Sequence, residues 1–360
     1  MSPPNRTCFL IAPIGLAGSE VRRRSDLLFE HVIRPATQAA GYELLRADQI
    51  NVPGPITGQI VRLLLEADLV VADISGLNPN VMYELGIRHA ARRPVIQLVT
   101  KGESIPFDIA NIRTIVFDVT SLDSADAARQ TLIQFLSAVD SGAYLGESPV
   151  TAALDLALLE KAPAEPTDRG ELPVGVVNVL KAIDSRLAAL EHRLAQSESS
   201  ETTEPQFSRR VFIVHGHDGV LKNELARLLE KLDFVPIILH EQPDRGQTII
   251  QKLGREMTDV GFAFVVLTPD DIGAVATEPT ALRPRARQNV VFEHGLFAGR
   301  FSHSRVCAVR RGDVEIPSDL HGVVYKTVPV GGGISSIAID VANELKAAGY
   351  VVDANRLLSL

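Results

Sequence analysis

Asn80-Val81-Met82-Tyr83-Glu84-Leu85-Gly86 and Asn289-Val290-Val291-Phe292-Glu293-His294-Gly295 are two writings of one phrase. Each follows an apolar run of strand type, Asp68-Leu-Val-Val-Ala-Asp73-Ile74 in the first copy and Gly261-Phe-Ala-Phe-Val-Val-Leu267-Thr268 in the second. The phrase therefore sets a glutamate on the first turns of a helix, behind a loop at the carboxyl end of a strand. In an open α/β sheet that crevice is where ligands bind. Two related nucleotide-type sites are expected, each built around one carboxylate.

Working outward, strands alternate with helices on both sides of each copy, the pattern of βαβ units and a mostly parallel sheet. In the first copy strands are read at Cys8–Ile14, Tyr42–Leu45, Leu69–Ile74, Val95–Val99 and Thr114–Phe117. Helices are read at Ser25–Ala40, Ile56–Ala67, through Glu84, and at Ala125–Val139. In the second, strands are read at Arg210–His215, Val235–Leu239, Phe262–Leu267 and Arg305–Val309, in a sheet of about five. Helices are read at Leu221–Leu232, Thr248–Met257, through Glu293 and at Ser336–Ala348, with a long loop ending in Arg283-Pro-Arg285-Ala-Arg287-Gln288. The expected architecture is two flavodoxin- or Rossmann-like α/β domains, 1–145 and 209–360, each on a mostly parallel five-stranded sheet. The stretch 146–208 joins them. Within it Val176, Leu180, Ile183, Leu187, Leu190 and Leu194 repeat at spacings of four and three, the apolar seam of a coiled-coil helix over about 174–195. That helix either brings protomers together or docks on a neighbouring domain. Gln196–Gln206, rich in Ser, Glu and Thr, reads as a linker.

The chain has 360 residues, 46% of them hydrophobic, and a formal net charge of −8. This acidic balance excludes a dedicated nucleic-acid binder that works by neutralising phosphates, though local arginine clusters can still hold a small anion. Two cysteines, Cys8 and Cys307, both in apolar runs, read as buried thiols and point to a reducing cytoplasm. No stretch reaches the roughly 18 apolar residues of a membrane span. The expected protein is soluble, cytoplasmic and without a membrane partner.

In the second copy, polar groups collect at successive strand ends. His215, His217 and Asp218 follow the first strand, Asp244 and Arg245 the second, Thr268, Asp270 and Asp271 the third. Arg285, Arg287, Asn289 and Glu293 come just before or inside the next helix. Asn289 and Glu293 are four apart and share a helical face. Arginines that grip a diphosphate, and a carboxylate that accepts from ribose hydroxyls and faces positive charge at an anomeric carbon, meet the needs of N-glycosidic cleavage. His-x-His without further clustered ligands is weak grounds for zinc, so no metal is expected. In the first copy Asp73, Asn78, Asn80 and Glu84 form the corresponding ligand set. Arg22-Arg23-Arg24 reads as a solvated helix start or a phosphate grip, and Gly331-Gly332-Gly333 as a loop.

Four motifs in order, Val214-His-Gly-His-Asp218, Glu241-Gln-Pro-Asp-Arg-Gly-Gln247, Leu267-Thr-Pro-Asp-Asp271 and Arg283 through Gly295, resemble the predicted nucleotide-binding, TIR-like family. That family includes the TIR part of bacterial TIR–STING antiviral effectors, and the likeness covers essentially all of 209–352. It implies a flavodoxin-like TIR fold that cleaves NAD as substrate, with no further cofactor, to nicotinamide and ADP-ribose products. Glu293 holds the catalytic glutamate position, and His294 stands where the family commonly has Leu. The resemblance also implies a homo-oligomer, because TIR sites are completed or ordered by a neighbouring protomer. Ala72-Asp-Ile-Ser-Gly-Leu-Asn-Pro-Asn-Val-Met-Tyr-Glu-Leu-Gly86 resembles the nucleoside 2-deoxyribosyltransferase-like group, in which the glutamate before Leu-Gly is the nucleophile. Glu84 sits there, but Asn78 stands where the enzymes carry a supporting carboxylate. The first domain is accordingly expected to sense a nucleotide signal; an active glycosidase or transferase, or a purely structural domain, are the alternatives. For the whole chain the alternative is a non-catalytic nucleotide-binding scaffold.

Overall fold

A computed structural model describes residues 6–49, 56–106, 108–144, 208–242, 249–273, 282–301, 303–317 and 325–359. Residues 146–207 of the expected linker, with its helix, and Asp244 and Arg245 lie outside the described residues.

The first sheet comprises β1 (Arg6–Ile11), β2 (Tyr42–Arg46), β3 (Leu69–Asp73), β4 (Val95–Thr100) and β5 (Thr114–Phe117). They run in spatial order β2-β1-β3-β4-β5, every pair parallel. The second comprises β6 (Arg210–His215), β7 (Val235–Ile237), β8 (Phe262–Leu267), β11 (Val306–Arg311) and β12 (Lys326–Val328). Its order, β7-β6-β8-β11-β12, is the same topology. Two α/β sheets of five parallel strands are thus present, as the alternating pattern predicts. The chain reverses direction between β1 and β3 and between β6 and β8, which places a crevice at the carboxyl ends of each pair.

Helices α1 (Glu20–Leu28), α2 (Arg34–Ala39), α3 (Ile56–Glu66), α4 (Pro79–Ala90) and α5 (Leu122–Asp140) belong to the first half. Helices α6 (Gly219–Lys231), α7 (Ile249–Met257), α8 (Gln288–Phe301) and α9 (Ala338–Ala347) belong to the second. Three details differ from expectation. The first helix starts at Glu20 instead of Ser25, because Ser19 caps it by accepting from Arg22 N at 3.1 Å. A π-helical turn at Phe29–Ile33 then joins α1 to α2. The long loop before α8 contains a small antiparallel hairpin, β9 (Asp271–Gly273) with β10 (Arg283–Arg285), too short and polar to show in the pattern. The fifth strand, β12, is three residues with one fully buried side chain, below what alternation can reveal.

Both faces of the central strands are covered, which is why they read as unbroken apolar runs. Alternate residues divide between two cores. Cys8 and Leu10 face a core with Leu28, Val32 and Leu132, while Val211 and Ile213 face another with Leu221, Leu225 and Val341. The intervening residues, Phe9 and Ile11 on β1 and Phe212 and Val214 on β6, join one continuous core with Val81, Leu85, Val291, Leu296 and Phe297. The two halves therefore share apolar interior. Each such large side chain contributes on the order of 1.5–3 kcal/mol by leaving water.

The middle of that shared core is the pairing of α4 with α8, the two helices that carry the repeated phrase. Their glycines permit it. A methyl at Gly86 would stand 2.7 Å from Leu296 N and nearer still to Phe292 O. One at Gly295 would stand 2.9 Å from the Tyr83 carbonyl carbon and nearer still to its oxygen. Gly86 thus sits on Phe292 and Gly295 on Tyr83, equivalent positions exchanged, so the contact has approximate two-fold character within one chain. Tyr83 meets His294 edge-on at 5.2 Å between ring centres, and His89 meets Phe292 at 5.7 Å. Arg88, completely buried, fixes α4 from behind by donating to the carbonyls of Leu64 (2.8 Å), Ala67 (2.9 Å) and Pro94 (2.9 Å). In this way it satisfies carbonyls that the end of α3 leaves without helical partners.

Candidate functional site

The crevice of the second sheet opens between β6 and β8. Gly216 follows β6 directly, and a side chain there would collide with the Asp270 carboxylate. Its absence lets Asp270 accept from His217 N at 3.1 Å and from Thr268 Oγ1 at 2.9 Å, tying the two strand ends across the switch point. Arg287, just ahead of α8, reaches the exposed His217 imidazole at 2.9 Å from Nη1 to Nε2. Asp218 caps α6 by accepting from Leu221 N at 2.9 Å and pairs with Arg311 at 2.6 Å. His217, Asp270 and Arg287 are thus joined, with Asp218 beside them on the same loop.

His215 anchors a second group. The almost fully buried Lys222 on α6 donates to His240 Nε2 at 3.1 Å and to Glu241 Oε1 at 2.9 Å. With Nε2 occupied as acceptor, His240 holds its proton on Nδ1 and donates to His215 Nε2 at 3.1 Å. His215 Nδ1 then donates to Gly216 O at 2.7 Å. The hydrogen-bond network assigns these tautomers, and they require neutral imidazoles. Burial first, and then the charges of its neighbours, lower the His215 pKa accordingly. The Lys222–Glu241 end of this relay follows β6 and β7 in the chain, on α6 and in the turn after β7.

Asp271 and Arg285 lie opposite each other in the β9–β10 hairpin. Asn289 is half-buried, one turn before Glu293. Glu293 itself is half-buried, on the helix that packs against α4. Burial, and then the field of Asp108, hold its carboxyl well above the ordinary range. Asp108 comes from the first half, in a turn after β4 where Ile109 N donates to Pro106 O at 3.1 Å. It is 3% exposed, its Oδ2 has no hydrogen-bond partner, and burial pushes its pKa up to about 7.

In the first sheet's crevice, fully buried Asp73 accepts from Ser75 N at 3.0 Å and from its hydroxyl, leaving Oδ2 without a hydrogen-bond partner. Burial raises its pKa, with Ser75 and the Arg24 guanidinium acting against that rise. Ser75 Oγ also accepts from Thr100 N at 2.8 Å, which binds the β3 and β4 ends together. Asn78 is the cap of α4, its Oδ1 accepting from Asn80 N at 3.0 Å. The residue in place of the supporting carboxylate therefore has a local structural task. Glu84 is buried on α4. Arg22 is occupied by Asp26 (2.8 Å) and Asp48 (3.1 Å), and Arg24 lies 3.8 Å from Glu103.

Sequence reading did not single out Lys222, His240, Arg311 or Asp108 as site residues. His240 and Asp108 follow strand ends, so the rule that found His215 extends to them. Lys222 and Arg311 answer to groups distant in sequence and left no local signal. Among the described residues no cluster of three or more His, Cys, Asp or Glu could hold a metal ion, and no helix is long and apolar enough to cross a membrane. Both cysteines are buried and free.

Residues 210–329 match the family model described as the TIR domain of CAP12/Pycsar effector proteins. The chain is 46% identical over 153 residues to the uncharacterised protein YuaY of Escherichia coli (strain K12), covering 42% of this chain and 50% of that protein. It is 34% identical over 125 residues to protein tirC of Dictyostelium discoideum, covering 32% and 62%. Over 80 residues it is 38% identical to the Pycsar effector protein PaPycTIR of Pseudomonas aeruginosa, covering 22% and 25%. The chain thus spans about half of YuaY and less than two thirds of each of these relatives. The second half is similar to CAP12/Pycsar TIR domains; the likeness of the first half to deoxyribosyltransferases finds no counterpart in these matches.

Proposed function

We propose that this chain is a TIR-type NAD-cleaving enzyme of an antiviral defence system, with Glu293 as the reacting carboxylate. The observation that supports it best is the joined crevice of His217, Asp270 and Arg287, directly ahead of the helix that carries Glu293, inside the segment similar to effector TIR domains. The chemistry needs no general acid. When the bond from the nicotinamide nitrogen to ribose C1′ breaks, the electron pair neutralises the pyridinium, so the leaving group needs no proton. The remaining demands are an anion facing the cationic ribosyl carbon and a base for the attacking water. Arg287 and Lys222 would hold the diphosphate. The first half would bind a nucleotide signal around Asp73, and self-association would follow in the cytoplasm. Incubation with NAD is expected to release nicotinamide, and Glu293→Gln to abolish that release.

A second reading is a nucleotide-binding scaffold without turnover. It draws on the position of the glutamate turn of α8 in the shared core, where one face is already taken by α4. Ligand-dependent assembly without NAD consumption under any condition would favour it.

A further inference from the structure

We propose that the first crevice holds a phosphate subsite, made by the Gly76 amide and the Arg24 guanidinium, which the Glu103 carboxylate occupies until a phosphate group displaces it. This rests on the reading of the first half as a nucleotide-binding unit and deepens it. Three elements build the place. β3 ends at Asp73, and the loop beyond it turns through Gly76, whose φ of +68° lies in the left-handed region open to glycine. β4 ends at Thr100, followed by a tight turn with Gly102 at φ +89° and Glu103 N donating to Thr100 O at 3.2 Å. That turn brings the Glu103 side chain onto the β3 loop, where Gly76 N donates to Oε2. From α1, Arg24 Nη1 lies 3.8 Å from Glu103 Oε1.

One carboxylate thus accepts from a backbone amide and faces an arginine, the two contacts a phosphate makes in an anion site. It makes them incompletely. At 3.8 Å the guanidinium is beyond hydrogen-bonding distance, and its buried Nε has no hydrogen-bond partner among the described residues. The space that a Cβ on Gly76 would fill is open, with nothing within 4 Å. Two more buried polar atoms at this end of the sheet lack partners: Asp73 Oδ2, on a residue with 0% exposure, and the hydroxyl of Ser25, next to Arg24 on α1. Asp73 is joined to the same loop through Ser75, whose hydroxyl bonds to it and accepts from Thr100 N at 2.8 Å. Burial raises the Asp73 pKa, which lessens its repulsion of an incoming anion. A phosphate brings about three acceptor oxygens and nearly two charges, enough to meet the amide and the guanidinium together. Of the run Arg22-Arg23-Arg24, Arg22 is taken by Asp26 and Asp48 and Arg23 is exposed, so Arg24 is the grip. Arg24 and Glu103 keep 23% and 32% side-chain exposure, so the exchange requires no opening of the core.

The test uses the full chain with Glu103→Gln, Glu103→Ala, Arg24→Gln and the double variant Arg24→Gln/Glu103→Gln. Inorganic phosphate is the probe, titrated calorimetrically at constant ionic strength, with urea midpoints to show that each variant is folded. Either change at Glu103 removes the competing charge. Phosphate affinity is expected to rise by on the order of ten-fold, the equivalent of one charge-assisted hydrogen bond that no longer has to be broken. Arg24→Gln should weaken phosphate binding, and the double variant should show no gain over Arg24→Gln alone. Binding that is equal or weaker in both Glu103 variants would overturn the proposal, as would a gain that persists without Arg24. Phosphate binding indifferent to all these changes would belong elsewhere on the chain and overturn it equally. The 5′-monophosphates of adenosine, guanosine, cytidine and uridine are then added as competitors. Displacement of phosphate by any of them supports the subsite as part of a nucleotide site. A Glu103-dependent, Arg24-dependent gain with no displacement by any nucleotide would support the exchange at Glu103 and remove the nucleotide reading of the first half.

Discussion

Gly295→Ala is expected to destabilise this protein even though alanine is the better helix former. Inside a helix that exchange ordinarily gains about 1 kcal/mol. At Gly295 the new methyl would stand 2.9 Å from the Tyr83 carbonyl carbon and closer to its oxygen, inside the 3.0 Å that real Cβ atoms keep. The obstacle is backbone in the middle of α4, and α4 is held from behind by the Arg88 hydrogen bonds to Leu64, Ala67 and Pro94. Neither atom can swing aside, so the helices must part and the packing of Phe292, Leu296 and Leu85 loosens with them. Overpacking of this kind costs about 1–3 kcal/mol. Against the helix-propensity gain, the net loss is on the order of 0–2 kcal/mol, where an unobstructed glycine would gain. Gly58→Ala, on α3 with nothing within 4 Å of the added carbon, is the control and should be neutral or stabilising by a few tenths of a kcal/mol. Equilibrium urea unfolding at pH 7 measures both. A Gly295→Ala variant that gains the full helix-propensity increment of about 1 kcal/mol would refute the close pairing of α4 with α8.

Two further outcomes follow from the polar groups. His89 is buried, and burial lowers its pKa from 6.5 to about 4. Its neutral form is the one the fold accepts, so its contribution is fully present above pH 6.5 and is lost as pH falls through about 4. That shift corresponds to about 3 kcal/mol. Unfolding midpoints measured from pH 7 to 4 should fall more steeply for the parent than for His89→Gln; identical slopes would contradict the assignment. Lys222→Met removes a positive charge that lowers the His215 pKa, so an NMR titration of His215 should move upward. The Lys222–Glu241 pair, half-exposed on the glutamate side, should cost no more than about 1 kcal/mol of stability. A His215 titration that does not move would break the proposed relay.

Much of the architecture was legible because its causes are local. Unbroken runs such as Phe262–Leu267 announce strands buried on both faces, and the repeated phrase marks the helix behind each crevice. His217 and Asp270 meet because the strands they follow end side by side. What stayed hidden depends on distance and packing. Nothing near Gly86 or Gly295 says that each rests on the other's aromatic residue, because a glycine records only a missing side chain. The phrase reads as a ligand motif; the fold shows that its Tyr83, Gly86, Phe292 and Gly295 also form the joint between the halves. Asn78 reads as a lost carboxylate, and its position shows the cap that an Asn at the head of Pro79–Ala90 supplies.

The role proposed for Glu293 is cleavage of the nicotinamide bond of NAD. The direct measurement is nicotinamide released from NAD by the full chain, with candidate nucleotides added in turn, compared with Glu293→Gln. Release by the parent and none by the variant, both equally folded, is the predicted result. Release that persists undiminished in Glu293→Gln would contradict it.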